Sequence, residues 1–172
     1  MDTASSYHCD TDRMLSELKT FMAFETTSDH PSYKQECADW LFGAYFSGES
    51  GIVRGDTDGA PYLWMGRPDA KLILFAPVDV VAGRPDQFTL RVEGDRAIGR
   101  GAKDMKGAAL TFLTAFRDAR ADGEDPPVSI LLTSDEEVAG RTIPELIGKG
   151  IVRGPVAFTP DTKYVISDGK DA

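Results

Sequence analysis

The stretch "LILFAPVDVV", residues 72–81, decides the fold of this chain. An uninterrupted apolar run from Leu72 to Ala76 is followed by Pro77 and, two residues later, by Asp79. A strand that is apolar on both faces is typical of a parallel sheet with helices covering each side. Proline has no backbone N–H to donate to a sheet, so Pro77 predicts the end of the strand. An aspartate therefore lies just beyond the end of a buried strand.

The rest of the chain alternates helical and strand periodicity. Helices are predicted over residues 11–25, 33–47, 108–121 and 143–149, with Thr11 or Asp12 capping the first. Strands are predicted over residues 62–66, 71–76, 128–133 and 155–159, with a further candidate at 163–167. Residues 88–98 predict a hairpin, and "RGDTDGAP" at 54–61 indicates a turn-rich break. This alternation predicts a three-layer α/β/α sandwich around a largely parallel mixed sheet.

Composition limits the classes of partner. The chain has 172 residues, enough for one domain with a core, and a formal net charge of −9, which argues against nucleic acid and anionic membranes. No apolar run is long enough for a membrane span, and the N-terminal residues do not form a secretory signal. Cys9 and Cys37 are in no close-spaced pattern, so we expect free thiols and a cytoplasmic location.

Acidic side chains follow three of the predicted strands. The residues after strands 72–76, 128–133 and 155–159 include, in that order, Asp79, Glu136 with Glu137, and Asp161. In open α/β sheets, ligands bind beyond the carboxyl ends of the parallel strands. If the three strands are parallel, these carboxylates lie at one edge of the sheet. Asp104, in the glycine-rich stretch "GRGAKDMKG", is a fourth candidate for the same edge.

Several carboxylates in one crevice raise each other's pKa, so they require protonation, basic partners or a bound metal. Lys103, Lys106 and Arg141 are close enough in sequence to act as basic partners. A divalent metal is the more economical solution, because oxygen ligands from several strand ends can surround it. The adjacent pair Glu136 and Glu137 then allows one glutamate to bind metal while the other acts as a general base.

Each of these residues also has an ordinary structural interpretation. An acidic residue at a strand end often caps the next helix or faces water, and Asp135 is the one for which we expect this. The glycine-rich stretch could instead bind a phosphate, but it lacks the G-x-x-x-x-G-K-[ST] pattern. The occurrence of acid at three strand ends favours a metal site over these alternatives.

Taken in order, the motifs resemble a known enzyme family. The segments "APVDVVAG", "GRGAKDMKGAAL", "LLTSDEEVAG" and "FTPD" are similar to those of the co-catalytic zinc metallohydrolases. This family includes acetylornithine deacetylase, succinyl-diaminopimelate desuccinylase, aminoacylase and carnosinase-like dipeptidases, and "FTPD" is most similar to the dipeptidase branch. The resemblance, over residues 10–170, implies a zinc-exopeptidase-like fold and hydrolysis of an amide bond in a dipeptide or an N-acyl amino acid.

The resemblance also implies a role for each acidic residue. Glu136 would be the general base on a metal-bound water, and Asp79 would orient a histidine ligand. Asp104 would bridge two zinc ions, with Glu137 as a terminal ligand of one and Asp161 of the other. Cobalt or manganese could replace zinc. The family often has a cis peptide after the bridging aspartate, here between Asp104 and Met105.

Two features depart from the family pattern. The family has His-x-Asp after this strand, whereas this chain has Pro77-Val78-Asp79, and proline carries no side-chain donor atom. The histidines of the sequence, His8 and His30, are far from the strand ends, and we expect neither to be a ligand. Without imidazoles the site would have only oxygen ligands, which suit zinc poorly and harder cations better.

The second departure is length. The family inserts a lid and dimerisation domain near the point where this sequence ends, and a later segment supplies a final histidine ligand. We therefore expect residues 1–172 to form the N-terminal part of a catalytic domain, incomplete and with an exposed apolar edge where further strands would pack. A homodimer would form only through the lid domain absent here, and we expect the isolated chain to be weakly active or inactive.

Two functional hypotheses follow. The first is a metal-dependent amidohydrolase or dipeptidase that acts on a small peptide or an N-acyl amino acid. The alternative is a non-catalytic relative or an inactive fragment, because Pro77 occupies the position of a metal-binding histidine.

Overall fold

Seven strands and four α-helices make up residues 10–161, the part of the chain that this computed structural model describes. The helices are α1 (Thr11–Ala23), α2 (Pro31–Leu41), α3 (Lys106–Ala121) and α4 (Thr142–Gly148). The strands are β1 (Ile52–Thr57), β2 (Ala60–Met65), β3 (Leu72–Pro77), β4 (Arg91–Glu93), β5 (Arg96–Ile98), β6 (Val128–Thr133) and β7 (Ala157–Phe158). None of these helices combines the length and the apolar character that crossing a membrane requires.

The central sheet is mixed, and its strand order places the three acid-terminated strands side by side. The order is β1-β2-β6-β3-β7, and the small hairpin β4-β5 is separate. The pairs β1-β2 and β2-β6 are antiparallel, whereas β3 is parallel to both β6 and β7. Because β3, β6 and β7 run in the same direction, their carboxyl ends lie at one edge of the sheet, as the sequence predicts.

Alternating side chains of the sheet contact two different layers, which gives the expected α/β/α sandwich. On one face, Leu63, Ala76 and Ile130 belong to a buried cluster with residues of α1, α2 and α3. On the other face, Tyr62, Trp64, Ile73 and Leu131 pack with Leu146 of α4. Strands that are covered on both faces need apolar residues at nearly every position, which is why β6 reads as a continuous apolar run.

The cap of the first helix lies one residue before Thr11 and two residues before Asp12, the two positions that the sequence suggests. The N-cap is Asp10, whose carboxylate accepts a hydrogen bond from the backbone N–H of Arg13 at 3.0 Å. At the other end, the carbonyl oxygens of Phe21 and Phe24 accept hydrogen bonds from the buried ammonium of Lys106 at 3.1 and 2.7 Å. A cation near the C-terminal carbonyls of a helix stabilises it, because it satisfies those carbonyls and complements the helix dipole.

The interpretation of "RGDTDGAP" as a turn-rich break is wrong for most of its length. Residues up to Thr57 continue β1, and the turn consists of Asp58 and Gly59, with φ of 53° and 84°. Two successive residues with positive φ are typical of a type I′ hairpin turn, for which Asp-Gly is a preferred pair. The Asp56 carboxylate accepts a hydrogen bond from the Gly59 N–H at 2.7 Å and helps to close the turn.

Other boundaries differ less. The second predicted helix is divided into α2 and a π-helical turn, Phe42–Phe46, and the hairpin predicted at 88–98 is confirmed as β4 and β5. The strand predicted at 155–159 is reduced to the two residues of β7, and the candidate strand at 163–167 lies outside the described residues. Val156 and Phe158 at this edge are 56% and 52% exposed, which matches the expected apolar edge.

The position of Pro77 in the sheet explains why a proline is tolerated there. The Val78 N–H donates to Thr133 O of β6 at 2.8 Å, whereas the Ile73 N–H donates to Val156 O on the other side. Since successive amides of a strand alternate in direction, the nitrogen of Pro77 faces the side of β7. The last residue of β7 in register with β3 is Phe158, opposite Leu74, so the proline lies beyond this pairing and removes no ladder hydrogen bond.

The buried Cys37 provides a direct test of the packing of α2. Its side chain is fully buried, and burial raises the pKa of the thiol to about 12. At pH 8 the thiolate fraction would be on the order of one in ten thousand, and the thiol is also inaccessible. In a Cys9→Ser variant, which removes the other cysteine, we expect no reaction with Ellman's reagent in native buffer and full reaction in urea. Rapid reaction of the native protein would contradict this packing.

Candidate metal and catalytic site

Asp79 connects the carboxyl ends of two neighbouring strands. It follows β3 and is only 3% exposed. Its Oδ1 accepts a hydrogen bond from the backbone N–H of Glu136 at 3.2 Å, and its Oδ2 accepts one from that of Glu137 at 2.9 Å. One carboxylate therefore fixes the main chain of both glutamates that follow β6, whereas the sequence predicts an orienting role toward a histidine.

Three buried ionisable residues, Lys34, Asp79 and Lys106, are associated with the loops at this edge of the sheet. Burial raises the pKa of Asp79, while the amides of Glu137 and Glu136 and the ammonium of Lys34 act in the opposite direction. Lys34 is 6% exposed, and its Nζ donates to Ser134 O at 2.7 Å. Burial lowers the pKa of Lys106 to about 8. The ammonium of Lys106 is hydrogen-bonded to the end of α1, and its charge also interacts with that of Asp79, one of the predicted carboxylates.

A cavity of about 200 Å³ at this edge brings together two of the predicted metal ligands. It is lined by Val81, Gly99, Arg100, Gly101, Lys103, Asp104 and Glu137. Lys103 therefore lies near the carboxylates, as a basic partner would. The peptide bond between Asp104 and Met105 is cis, as the resemblance implies.

The other predicted site residues do not line this cavity. Glu136 and Asp161 are absent from its walls, although both are at the same edge of the sheet. The segment that leads to Asp161 approaches the site through Thr159, whose Oγ1 is 3.9 Å from the Sδ of Met105. Within residues 10–161, no three histidine, cysteine, aspartate or glutamate side chains are close enough together to hold a metal ion.

Asp135, Arg141 and His30 make contacts outside this cavity. The carboxylate of Asp135 accepts a hydrogen bond from the Thr142 N–H at 2.9 Å at the start of α4, so this residue is confirmed as a cap. The side chain of Arg141 is 79% exposed, and its guanidinium lies 3.8 Å from the carboxylate of Asp58. This ion pair joins Arg141 to the β1-β2 turn and not to Glu136 or Glu137. His30 is 48% exposed and 3.4 Å from Glu25, and His8 lies outside the described residues.

The end of α1, the segment that follows it and the start of α2 contact the loops of the site, which the sequence did not reveal. Thr26 Oγ1 donates to Val78 O at 2.6 Å, and the Val80 N–H donates to Thr26 O at 3.2 Å. Lys34 is hydrogen-bonded to the loop after β6, and Lys106 connects the glycine-rich stretch to the end of α1. No sequence signal distinguishes a buried lysine that binds a carbonyl from a surface lysine.

The donor atoms at the cavity allow a test of the metal hypothesis. Asp104 and Glu137 offer oxygen atoms, and Pro77 offers none, so the described residues fit an oxygen-preferring divalent cation completed by water. They do not fit a zinc site with three protein ligands. The same cavity is also lined by two basic residues, Arg100 and Lys103.

Comparison with known proteins decides the family. Residues 73–169 match the sequence profile of "Peptidase family M20/M25/M40", which is more than half of the chain. The chain belongs to this family. The match includes the three parallel strands and every predicted site residue, and it confirms the resemblance inferred from the motifs. Members of the M20 family generally use a divalent metal and are peptidases or deacylases.

Individual relatives agree with the family assignment. A succinyl-diaminopimelate desuccinylase from Stenotrophomonas maltophilia is 39% identical over 95 residues, covering 48% of this chain and 24% of that protein. A cysteinylglycine-S-conjugate dipeptidase from Corynebacterium striatum is 28% identical over 170 residues, covering 92% and 37%. The crystal structure of human carnosine dipeptidase 1 superposes with a TM-score of 0.69 at 21% identity, covering 90% and 39%. This structural similarity confirms the M20 fold, and the chain spans only 24% to 39% of the length of these three relatives.

Proposed function

We propose that the chain carries the metal-binding part of an M20 hydrolase that cleaves an amide bond in a dipeptide or an N-acyl amino acid. The observation that supports this most directly is the arrangement of Asp104 and Glu137 in one cavity, with the Glu136–Glu137 turn held by Asp79. In this proposal Asp104 and Glu137 hold the metal, Asp161 approaches it as a further ligand, and Glu136 is the general base.

The roles of the chain's own residues follow from their chemistry. When bound, a divalent cation lowers the pKa of a water and polarises the scissile carbonyl. A carboxylate oxygen of Glu136 accepts a proton from the attacking water and then returns it to the nitrogen of the leaving amine. Asp79 keeps the main chain of Glu136 and Glu137 in place during both steps. These hydrogen bonds engage the backbone N–H groups of the two glutamates and not their carboxylates.

The metal, the location and the assembly also belong to this proposal. Two zinc ions are expected for the family, but a site with only oxygen donors favours manganese or cobalt over zinc in this chain. The cytoplasmic location and a homodimer formed through a lid domain stay predictions. The alternative hypothesis is a non-catalytic relative. The metal-removal experiment described next distinguishes an enzyme from such a relative.

Removal of metal should abolish hydrolysis. The purified 172-residue chain would be assayed with alanyl-glycine and N-acetyl-L-alanine, first as isolated and then after dialysis against EDTA. We expect slow hydrolysis that EDTA eliminates and that Mn²⁺ or Co²⁺ restores better than Zn²⁺, because carboxylate oxygens suit harder cations. Metal content measured by mass spectrometry gives the stoichiometry.

A control variant separates binding at this site from metal bound elsewhere on an acidic protein. Asp104→Asn should lose metal and activity together, whereas Asp86→Asn, which changes an exposed side chain that does not line the cavity, should retain both. Absence of bound metal and of turnover under all these conditions would exclude the enzymatic proposal in favour of the non-catalytic alternative.

A further inference from the structure

Lys34 is a buried lysine at a position that is electrostatically unfavourable for α2. It is the fourth residue of this helix, and the partial positive charge at a helix N-terminus repels a cation there. Taking an ammonium group out of water also costs free energy. The N-cap, His30, makes no side-chain hydrogen bond, and the first turn contains no acidic residue. Neither the cap nor the first turn of α2 therefore offsets the charge of Lys34.

The contacts of this ammonium lie outside α2, at the turn that carries the two glutamates of the site. Its Nζ donates to Ser134 O at 2.7 Å, and among residues 10–161 this is its only hydrogen bond. Its charge interacts with that of Asp79, which is buried at the same turn. Ser134 directly follows β6 and lies two positions before Glu136. The cost of burying Lys34 is therefore connected to this turn and not to the helix that carries the lysine.

Two buried charges of opposite sign hold three successive peptide groups of the turn. Lys34 donates to the carbonyl oxygen of the peptide group between Ser134 and Asp135. Asp79 accepts from the N–H groups of the next two peptide groups, those of Glu136 and Glu137. Hydrogen bonds to charged groups are stronger than those between neutral groups. The direction in which the two glutamate side chains leave the main chain therefore depends on both the cation and the anion.

We propose that Lys34 is a positioning residue, which orients the Glu136–Glu137 turn for metal binding and catalysis and does not serve the stability of the fold. This inference rests on the proposed function, since it assigns a further residue to the same site. Lys34 acts through the main chain of the turn. Residues that orient metal ligands in this indirect way typically contribute about 10- to 100-fold to metal affinity or activity.

The test replaces Lys34 by Met, which has a similar length and no charge. The urea midpoint should stay close to that of the wild type, because the loss of one hydrogen bond is offset by removal of a buried cation from a helix N-terminus. The Mn²⁺ affinity of the metal-free 172-residue chain, measured from the EPR signal of free Mn²⁺, should fall about 10- to 100-fold. In the absence of metal, the amides of Glu136 and Glu137 should exchange about tenfold faster or more.

Three further variants serve as controls. Only Mn²⁺ binding that Asp104→Asn abolishes is counted as binding at the site. Lys71→Met removes a lysine just before β3, at the opposite edge of the sheet, and should leave the Mn²⁺ affinity unchanged. Lys34→Arg keeps a cationic donor, so its Mn²⁺ affinity should lie between those of Lys34→Met and the wild type.

Several outcomes would overturn the inference. These are an unchanged Mn²⁺ affinity in Lys34→Met, an equal loss in Lys71→Met, and a failure of Lys34→Met to fold or a fall in its urea midpoint that accounts for the lost affinity. A wild-type chain that binds no Mn²⁺ contradicts the proposed function, and amide exchange without metal then decides the role of Lys34. Faster exchange confined to Glu136 and Glu137 supports the inference, and unchanged exchange refutes it.

Discussion

Replacing Glu136 by Gln should lower the rate of amide hydrolysis by about 10²- to 10⁴-fold, the usual contribution of a general base. Glutamine has nearly the shape of glutamate but cannot accept and return a proton. The fold of the turn should be unaffected, because Asp79 binds the backbone N–H groups of Glu136 and Glu137 and not their side chains. The measurement is the steady-state rate with N-acetyl-L-alanine in the presence of Mn²⁺.

Two controls separate this effect from loss of metal or loss of structure. Metal content and the urea midpoint should be the same in Glu136→Gln as in the wild type. Glu145→Gln, which removes a carboxylate from α4 at a position paired with Lys149, should leave the rate unchanged. An unchanged rate in Glu136→Gln would show that another group takes the proton.

Replacing Asp79 by Ala should reduce the free energy of unfolding by about 3 kcal/mol, because two backbone N–H groups lose a buried acceptor. The buried lysines Lys34 and Lys106 also lose the negative charge of Asp79, with which both interact. Since domains of this size are stable by only about 5–15 kcal/mol, the change is large and should be clear in urea unfolding. The free energy of unfolding of Asp79→Asn, which keeps one acceptor oxygen, should lie between those of the wild type and of Asp79→Ala.

Amide hydrogen exchange locates the effect of Asp79→Ala. The amides of Glu136 and Glu137 should exchange faster in the variant, while those in the middle of α3 should change only with global stability. Asp86→Ala is the matched control, since the side chain of Asp86 is 63% exposed and its loss should cost less than about 0.5 kcal/mol. A comparably small change in Asp79→Ala would refute the structural role given to this carboxylate.

The sequence predicts the central strands of the sheet better than its edge strands. Strands β3 and β6 are recognisable because they are buried on both faces, and their apolar runs end at a proline and at a row of polar residues. Strand β1 is missed because it lies at the edge of the sheet, where Arg54 and Asp56 are exposed and the residues resemble a loop. Exposed edges carry little periodicity, so only the Asp58-Gly59 turn indicates the hairpin.

For the site, sequence predicts which residues reach the edge but not which contacts they make. Parallel strands must place Asp79 and the Glu136–Glu137 pair together, and this follows from topology alone. The hydrogen bonds that the Asp79 carboxylate accepts from the backbone N–H groups of Glu136 and Glu137 depend on the conformation of the turn, which no side-chain pattern records.

The hydrogen bonds from Thr26, Lys34 and Lys106 have a consequence for how the site acquires its order. The region that matches the family begins at residue 73, yet the loops at the strand ends depend on a segment that precedes it. The site is therefore not an autonomous module of the sheet. Local opening of residues 24–34 would release the ends of β3 and β6 and the start of α3 together, so these loops gain or lose their order as one cooperative unit.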